Sequence, residues 1–300
     1  MVVCEYACLA DGAQLDFIES IKTYVIDDKD VSSFIRVSIH PYLIKGFFVR
    51  KVVFQLVTQG ALLFFCLLGA AATYADSGML EAVIQGNLTK VKALVKSGAD
   101  ITYVDNEGNS LLFNATINGR TQMAEWLLNQ GANPNDKNKY GAPILITAAG
   151  SGYDSLVKLL LKKGANVNAK FERYDNVSAL MLAAQDGHLK TVDVLLANGA
   201  QVNAETVNGD TALIAATAKG HIEIVDRLIK KGAGVNVRSE TGYSALFVAI
   251  SEGNDEMVSF LLEKGADPNV PDDNGDTALS LAKRIKNPDI INLLKSKGAR

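Results

Sequence analysis

From Val207 to Val237 the chain reads VNGDTALIAATAKGHIEIVDRLIKKGAGVNV, and its apolar positions fall into two helical runs. The first, Ala212-Leu213-Ile214-Ala215-Ala216, is short and follows the turn signal Asn208-Gly209-Asp210-Thr211, where Gly supplies the positive φ of a tight turn. In the second, Ile224, Val225, Leu228 and Ile229 share one face at helical spacing. Gly220 ends the first run, and Gly232 stops the second as Gly does just beyond a helix C-terminus. The predicted unit is turn, short helix, turn, longer helix, loop. Neither helix buries its apolar face alone, so the unit needs neighbours.

The chain supplies them. The stop glycine recurs at Gly98, Gly131, Gly164, Gly199, Gly232, Gly265 and Gly298, in steps of 33, 33, 35, 33, 33 and 33 residues. Twelve residues before each of the first six lies another Gly, at Gly86, Gly119, Gly152, Gly187, Gly220 and Gly253. Each short helix after the first is preceded by Gly108, Gly141, Asn176, Gly209, Gly242 or Gly275. Asn is the next-best residue for that left-handed turn. A fixed period of this length marks a stack of supersecondary units.

The short-helix stretches SALMLAA (178–184), TALIAA (211–216), SALFVA (244–249) and TALSLA (277–282) carry a recognisable signature. With the period of 33, the chain resembles the ankyrin repeat family, whose first helix reads T-P-L-H-x-A. Gly187-His188 and Gly220-His221 match the family's approach to its second helix. The family's Pro is usually Ala here and its helix-1 His usually a hydrophobe. The resemblance covers residues 77–300 and implies an all-α ankyrin solenoid of about seven repeats with hairpin-like fingers. The expected repeats are 77–105, 106–137, 138–172, 173–205, 206–238, 239–272 and 273–300. The first and last act as caps, since a solenoid needs polar terminal units to stop stacking. The two extra residues of the 35-residue step fall in Ala169–Asp175, within a finger, where insertions cost least.

The N-terminal quarter is different. Arg50-Lys51 precede Val52 to Ala75, 24 residues with no charge, and residues 61–72 form a continuous small and apolar core. Residues 49–75 therefore have two readings, and 1–48 have a status that depends on which holds. A single transmembrane helix needs about 20 apolar residues. With Lys45, Arg50 and Lys51 before it and no basic residue after it until Lys90, the positive-inside rule places the repeats outside the cytoplasm. A basic flank, apolar core and small residues also form a secretory signal peptide. That reading starts translation near Val49 or Val52 and needs a non-Met start codon, because no Met occurs between Met1 and Met79. Both readings put the repeats in the periplasm or on the outer side of an inner membrane; the alternatives are a cytoplasmic protein or one delivered to another cell. Cys4, Cys8 and Cys66 all precede the repeats, which therefore tolerate an oxidising compartment. Of the acceptor sequons at Asn87, Asn114 and Asn176, Asn114 falls inside a helix, which favours a bacterial periplasm over an endoplasmic-reticulum lumen.

Charge and chemistry narrow the function. The formal net charge of −3 gives no nucleic-acid footprint. Three His, His40, His188 and His221, make no cluster with Cys, and an EF-hand loop from Asp272 would need an acid where Lys283 stands. No catalytic residue, metal or cofactor is expected. The resemblance implies instead a monomeric protein-binding surface on the finger tips and the exposed side of the first helices. By matching position the tips are Asn109, Ala142, Val177, Asp210, Tyr243 and Asp276. Tyr140, Phe171, Tyr174 and Asp273 lie close to them. Tyr is a favoured interface anchor, and Asp210, Asp272, Asp273 and Asp276 bias the C-terminal half toward basic partners. The expected function is a non-catalytic scaffold that binds another protein; alternatives are an immunity or inhibitor protein against an exported toxin, or an effector delivered to another cell.

Overall fold

The computed structural model of the protein describes residues 78–300. The segments 1–48 and 49–75, with the expected signal or membrane helix, lie outside the described residues. No helix among the described residues is long and apolar enough to cross a membrane.

Helices alternate short and long along the chain. The first-helix row comprises α1 (78–85), α3 (Leu111–Ile117), α5 (Ile144–Gly150), α7 (Ala179–Gln185), α9 (Ala212–Ala218), α11 (Ala245–Ser251) and α13 (Ala278–Ile285). The second-helix row comprises α2 (Leu88–Lys96), α4 (Thr121–Asn129), α6 (Asp154–Lys162), α8 (Leu189–Ala197), α10 (Ile222–Lys230), α12 (Asp255–Glu263) and α14 (Pro288–Ser296). From α3 onward, each short helix packs on its own long partner and on the neighbouring short helices of that row.

The short helices start where hydroxyls cap them. Ser110, Ser178, Thr211, Ser244 and Thr277 each accept the N–H three residues on. This satisfies one of the donors orphaned at a helix N-terminus. Pro143 has no hydroxyl, and α5 begins without a side-chain cap; its Ile144 N–H donates to the Asp136 carbonyl at 2.9 Å. At the other end of the stack, Lys286 takes the left-handed φ of 60° that glycine adopts in earlier repeats.

The core is one column of recurring positions. Leu112, Leu145, Leu180, Leu213, Leu246 and Leu279 hold the first helices inside, and Leu127, Leu160, Leu195, Leu228, Leu261 and Leu294 hold the second, all buried. Ala115, Ala148, Ala183, Ala216, Ala249 and Ala282 are fully buried between them, where a methyl lets neighbouring first helices approach closely. Truncating one of the second-helix leucines, such as Leu195→Ala, opens a cavity between repeats and costs about 2–5 kcal/mol.

Two polar ladders fix the register. In the first, Asn135, Asn168, Asn203, Asn236 and Asn269 each reach one repeat forward. The Asn203 Nδ2 donates to the Gly232 carbonyl at 3.0 Å while its Oδ1 accepts the Gly234 N–H at 2.9 Å. The others repeat this pair of bonds, ending with Asn269 on Gly298 and Arg300. In the second, the residue before a long helix lies over the second-turn glycine of the previous repeat: Arg120 over Gly86, Tyr153 over Gly119, His221 over Gly187; the row ends before Gly253, which faces open space. Arg120 Nε donates to the Ile84 carbonyl at 2.8 Å, and His221 Nε2 to that of Gln185 at 3.0 Å. His188 and His221 are thus tied to backbone carbonyls of preceding repeats.

Candidate functional site

The first five fingers are hairpins closed by backbone pairing, and the sixth, before α13, is a turn held by the Asp272 N–H on the Asp276 carbonyl. The bridges are Val104–Ser110, Lys137–Pro143, Glu205–Thr211 and Arg238–Ser244; only the third finger lengthens into a two-stranded sheet, β1 (Lys170–Phe171) and β2 (Val177–Ser178). A short polar side chain organises each regular tip. Asp105 Oδ1 accepts the N–H groups of Glu107 at 2.8 Å and Asn109 at 2.9 Å. Asn138 Oδ1 does the same for Tyr140 and Ala142, both at 3.0 Å, and Asp272 Oδ1 for Asn274 and Asp276, both at 2.9 Å. Such side-chain turns are why Asp and Asn are favoured there. The two inserted residues remove this device from the third finger, which turns instead on two consecutive left-handed residues, Asp175 and Asn176.

Backbone bonds join the first finger to the second, the third to the fourth and the fourth to the fifth. The Asp175 carbonyl accepts the Val207 N–H at 2.9 Å, and the Asn208 carbonyl accepts that of Glu240 at 2.8 Å. Between the first two fingers, Glu107 accepts from Lys139 Nζ at 3.0 Å and the Tyr140 hydroxyl at 2.8 Å. Those two hydrogen bonds hold the Glu107 carboxyl below its ordinary range. At Asp105, burial pushes the carboxyl up, but hydrogen bonds from Asn114, Asn109 and Glu107 outweigh it and leave it low.

The expected tip residues fall into three groups. Tyr140 and Tyr174 are exposed, at 44% and 60%, as is Asp273, which pairs with Arg238 at 2.7 Å. Ala142, Phe171, Asp210, Tyr243 and Asp276 are half-buried. Tyr243 stacks on Phe247, and Phe171 packs against the core while stacking on Tyr174 at 5.9 Å. Asn109 and Val177 do not stand at the tips, since both side chains are buried. Asn109 Nδ2 donates to Asp105 Oδ2 at 3.0 Å, and Val177 pairs with Phe171 across the sheet, so both are spent on closing their hairpins.

The acidic bias also changes place. Asp272 is buried in its turn, Asp273 is neutralised by Arg238, and Asp276 accepts from Arg284 at 2.5 Å, which lowers its carboxyl. Asp210 has no ion-pair partner among the described residues. Burial, then the charge of Asp175, raises its carboxyl above the usual range. Exposed large apolar side chains that were not among the expected residues are Val104, Ile117, Val207 and Ile285. Ile117 and Ile285 are each the last residue of a short helix, a position that the period marks, whereas no recurring position marks Val104 or Val207. Among the described residues no group of His, Cys, Asp and Glu could hold a metal ion.

The family model of ankyrin repeats, in three copies, matches residues 79–171, 172–239 and 232–300. The chain belongs to the ankyrin repeat family. Its ankyrin stack is similar to the crystal structure of the human ASB11 ankyrin repeat domain, at 28% identity and a TM-score of 0.65 over 74% of this chain and 98% of that one. It is equally similar to the ankyrin repeat domain of Bcl-3, described as a unique member of the IkappaB protein family: 28% identity, TM-score 0.65, 73% of this chain and 97% of that one. No curated protein matches the chain. Ankyrin repeats are protein–protein interaction modules and are generally non-enzymatic.

Proposed function

We propose that this ankyrin stack is a non-catalytic binding protein that takes a segment of another protein along its fingers and the exposed ends of its first helices. The observation that carries the reading is the contrast between a row of fingers braced by backbone bonds at three of its junctions and the exposed Tyr140 and Tyr174 that project from it. A rigid row lowers the ordering cost of binding, and exposed tyrosines offer large contact area with few rotors. We further place the stack outside the cytoplasm, in a bacterial periplasm, carried there by residues 52–75. The uncharged run behind Arg50-Lys51 supports that placement.

Capture from the native cells tests the first part. Protein bound to the full chain should be lost with Tyr140→Ala and Tyr174→Ala and kept with Lys190→Ala and Glu223→Ala, which alter exposed residues of the second helices. Equal loss, or no effect of the tyrosines, would overturn it. Protease added to intact spheroplasts should digest the repeats; full protection would place them in the cytoplasm.

A further inference from the structure

Four Asn-Gly steps occur in the chain, at Asn118, Asn198, Asn208 and Asn274. In such a step the side-chain carbonyl carbon of Asn lies within reach of the next backbone nitrogen. A following Gly has no Cβ, which leaves that nitrogen unhindered and its torsions free. The fold treats the four steps differently. Asn118 and Asn198 end α3 and α8, and their Nδ2 groups donate to the Asn114 and Val194 carbonyls at 2.8 and 2.7 Å. Asn208 and Asn274 are exposed at the tips of the fourth and sixth fingers, and neither side chain is held by a hydrogen bond among the described residues. What lies against these two also differs. The Asn208 carbonyl accepts the Glu240 N–H at 2.8 Å, and Gly209 is buried so close to the fifth finger that a Cβ would come within 2.9 Å of the Glu240 nitrogen. Among the described residues nothing bonds the Asn274 carbonyl, and Gly275 is exposed, with open space where a Cβ would stand.

We propose that Asn274-Gly275 is a self-modification site, at which Asn274 converts without an enzyme to aspartate and isoaspartate. The Gly275 nitrogen bonds to Asn274 Cγ as the Cγ–Nδ2 bond breaks, and the Gly275 amide proton leaves with Nδ2 as ammonia. Ring closure requires the Gly275 N–H to release the Asp272 carbonyl, a bond of 3.1 Å, which is a local opening of this turn alone. Water then opens the five-membered imide. Attack at Cγ gives aspartate; attack at the backbone carbonyl gives isoaspartate, with the chain running through the side chain. Either product adds a carboxylate beside Asp273. Isoaspartate also lengthens by a methylene the turn in which Asp272 Oδ1 accepts the N–H groups of Asn274 and Asp276. The conversion needs no binding partner, and it alters the charge and shape of the sixth finger while leaving the bonds between the earlier fingers untouched.

The test holds the full chain in mildly alkaline buffer, folded and in guanidinium, and follows digests by mass spectrometry over time. The peptide containing Asn274 should gain the mass of amide-to-acid conversion and separate into aspartyl and isoaspartyl forms. In the folded chain Asn208 should convert roughly tenfold more slowly, the scale of one further hydrogen bond that must open. Asn118 and Asn198 should convert no faster than Asn208. In guanidinium, where the fold holds none of them, the four rates should converge. An Asn274 that survives in the folded chain yet converts in guanidinium would overturn the proposal. Equal folded-state rates at Asn208 and Asn274 would do the same. So would aspartate formed without isoaspartate, since direct hydrolysis of the side-chain amide bypasses the imide.

Discussion

His188 Nε2 lies 2.9 Å from the carbonyl oxygen of Gly150, and the same ring covers Gly152 so closely that a Cβ there would come within 2.5 Å of Nδ1. One side chain thus bonds the end of a neighbouring first helix and fills the space left by a missing side chain. Gly152 also has a φ of 68°, whereas Gly164, with φ 95°, faces open space. Gly152→Ala should therefore incur the left-handed penalty of about 1–2 kcal/mol and an overpacking penalty of about 1–3 kcal/mol. Gly164→Ala should incur only the first. Urea unfolding of the two variants checks this, and equal losses would show that the ring contact contributes nothing.

The glycine rows could be read directly because a left-handed turn leaves few other choices of residue, so the period of 33 stood out. The cap hydroxyls could be read for a similar reason: Ser178 and Thr211 sit where the short helices begin. The asparagine ladder was equally periodic in Asn135, Asn168, Asn203, Asn236 and Asn269, yet it lies in loops without apolar pattern, and a loop Asn has many local explanations. The candidate surface was legible only as a region. Whether Asn109 points outward or closes its own turn, and whether Asp276 is free or held by Arg284, depends on partners four to eight residues away that no periodicity specifies.

The ladder has a missing rung that can be supplied. Thr102 occupies the corresponding place in the first described repeat, one step of 33 before Asn135, and its N–H donates to Asp100 Oδ1 at 2.7 Å as Asn168 N–H does to Asn166 Oδ1 at 3.0 Å. With the local turn already shared, Thr102→Asn should reach the Gly131 carbonyl and the Asn133 N–H and raise stability by about 1 kcal/mol. Conversely, Asn203→Ala removes both bonds of a rung and should lower it by roughly 1–2 kcal/mol. Paired urea titrations would decide, and a neutral Thr102→Asn would mean that the rungs are geometric accompaniments of the stack.

Asp210 gives a pH dependence of defined sign. Burial, then the Asp175 charge, raises its carboxyl in the folded state. A raised carboxyl is stabilising while protonated: that contribution is fully present below the unfolded value of about 3.9 and is lost as pH rises through the folded value. At neutral pH the charge is a net cost, so Asp210→Asn should be more stable than the parent at pH 7, with the gap closing on acidification to below about pH 4. The gain should shrink when Asp175→Asn is already present, because the repulsion is then gone and only the burial cost remains. A destabilised Asp210→Asn at pH 7 would show that the carboxylate is held by a favourable contact instead.

The long third finger should be removable without unfolding the stack. Its pair Lys170–Ser178 corresponds to the bridge Glu205–Thr211, and the two extra residues lie between them. Replacing residues 170–178 with the sequence of 205–211, ETVNGDT, keeps a hydroxyl cap and a left-handed Gly. It also sets an Asn carbonyl where Asp175 accepts the Val207 N–H, just as Asn208 accepts Glu240. The change deletes Phe171, Tyr174 and Asp175. Exposed loops tolerate such changes, so stability should fall by no more than about 1 kcal/mol in urea unfolding. A loss several times larger would assign the insertion to the core through Phe171. A small loss, with the helical circular dichroism retained, would leave the insertion without a structural reason and locate its purpose in what the exposed Tyr174 and Asp175 meet.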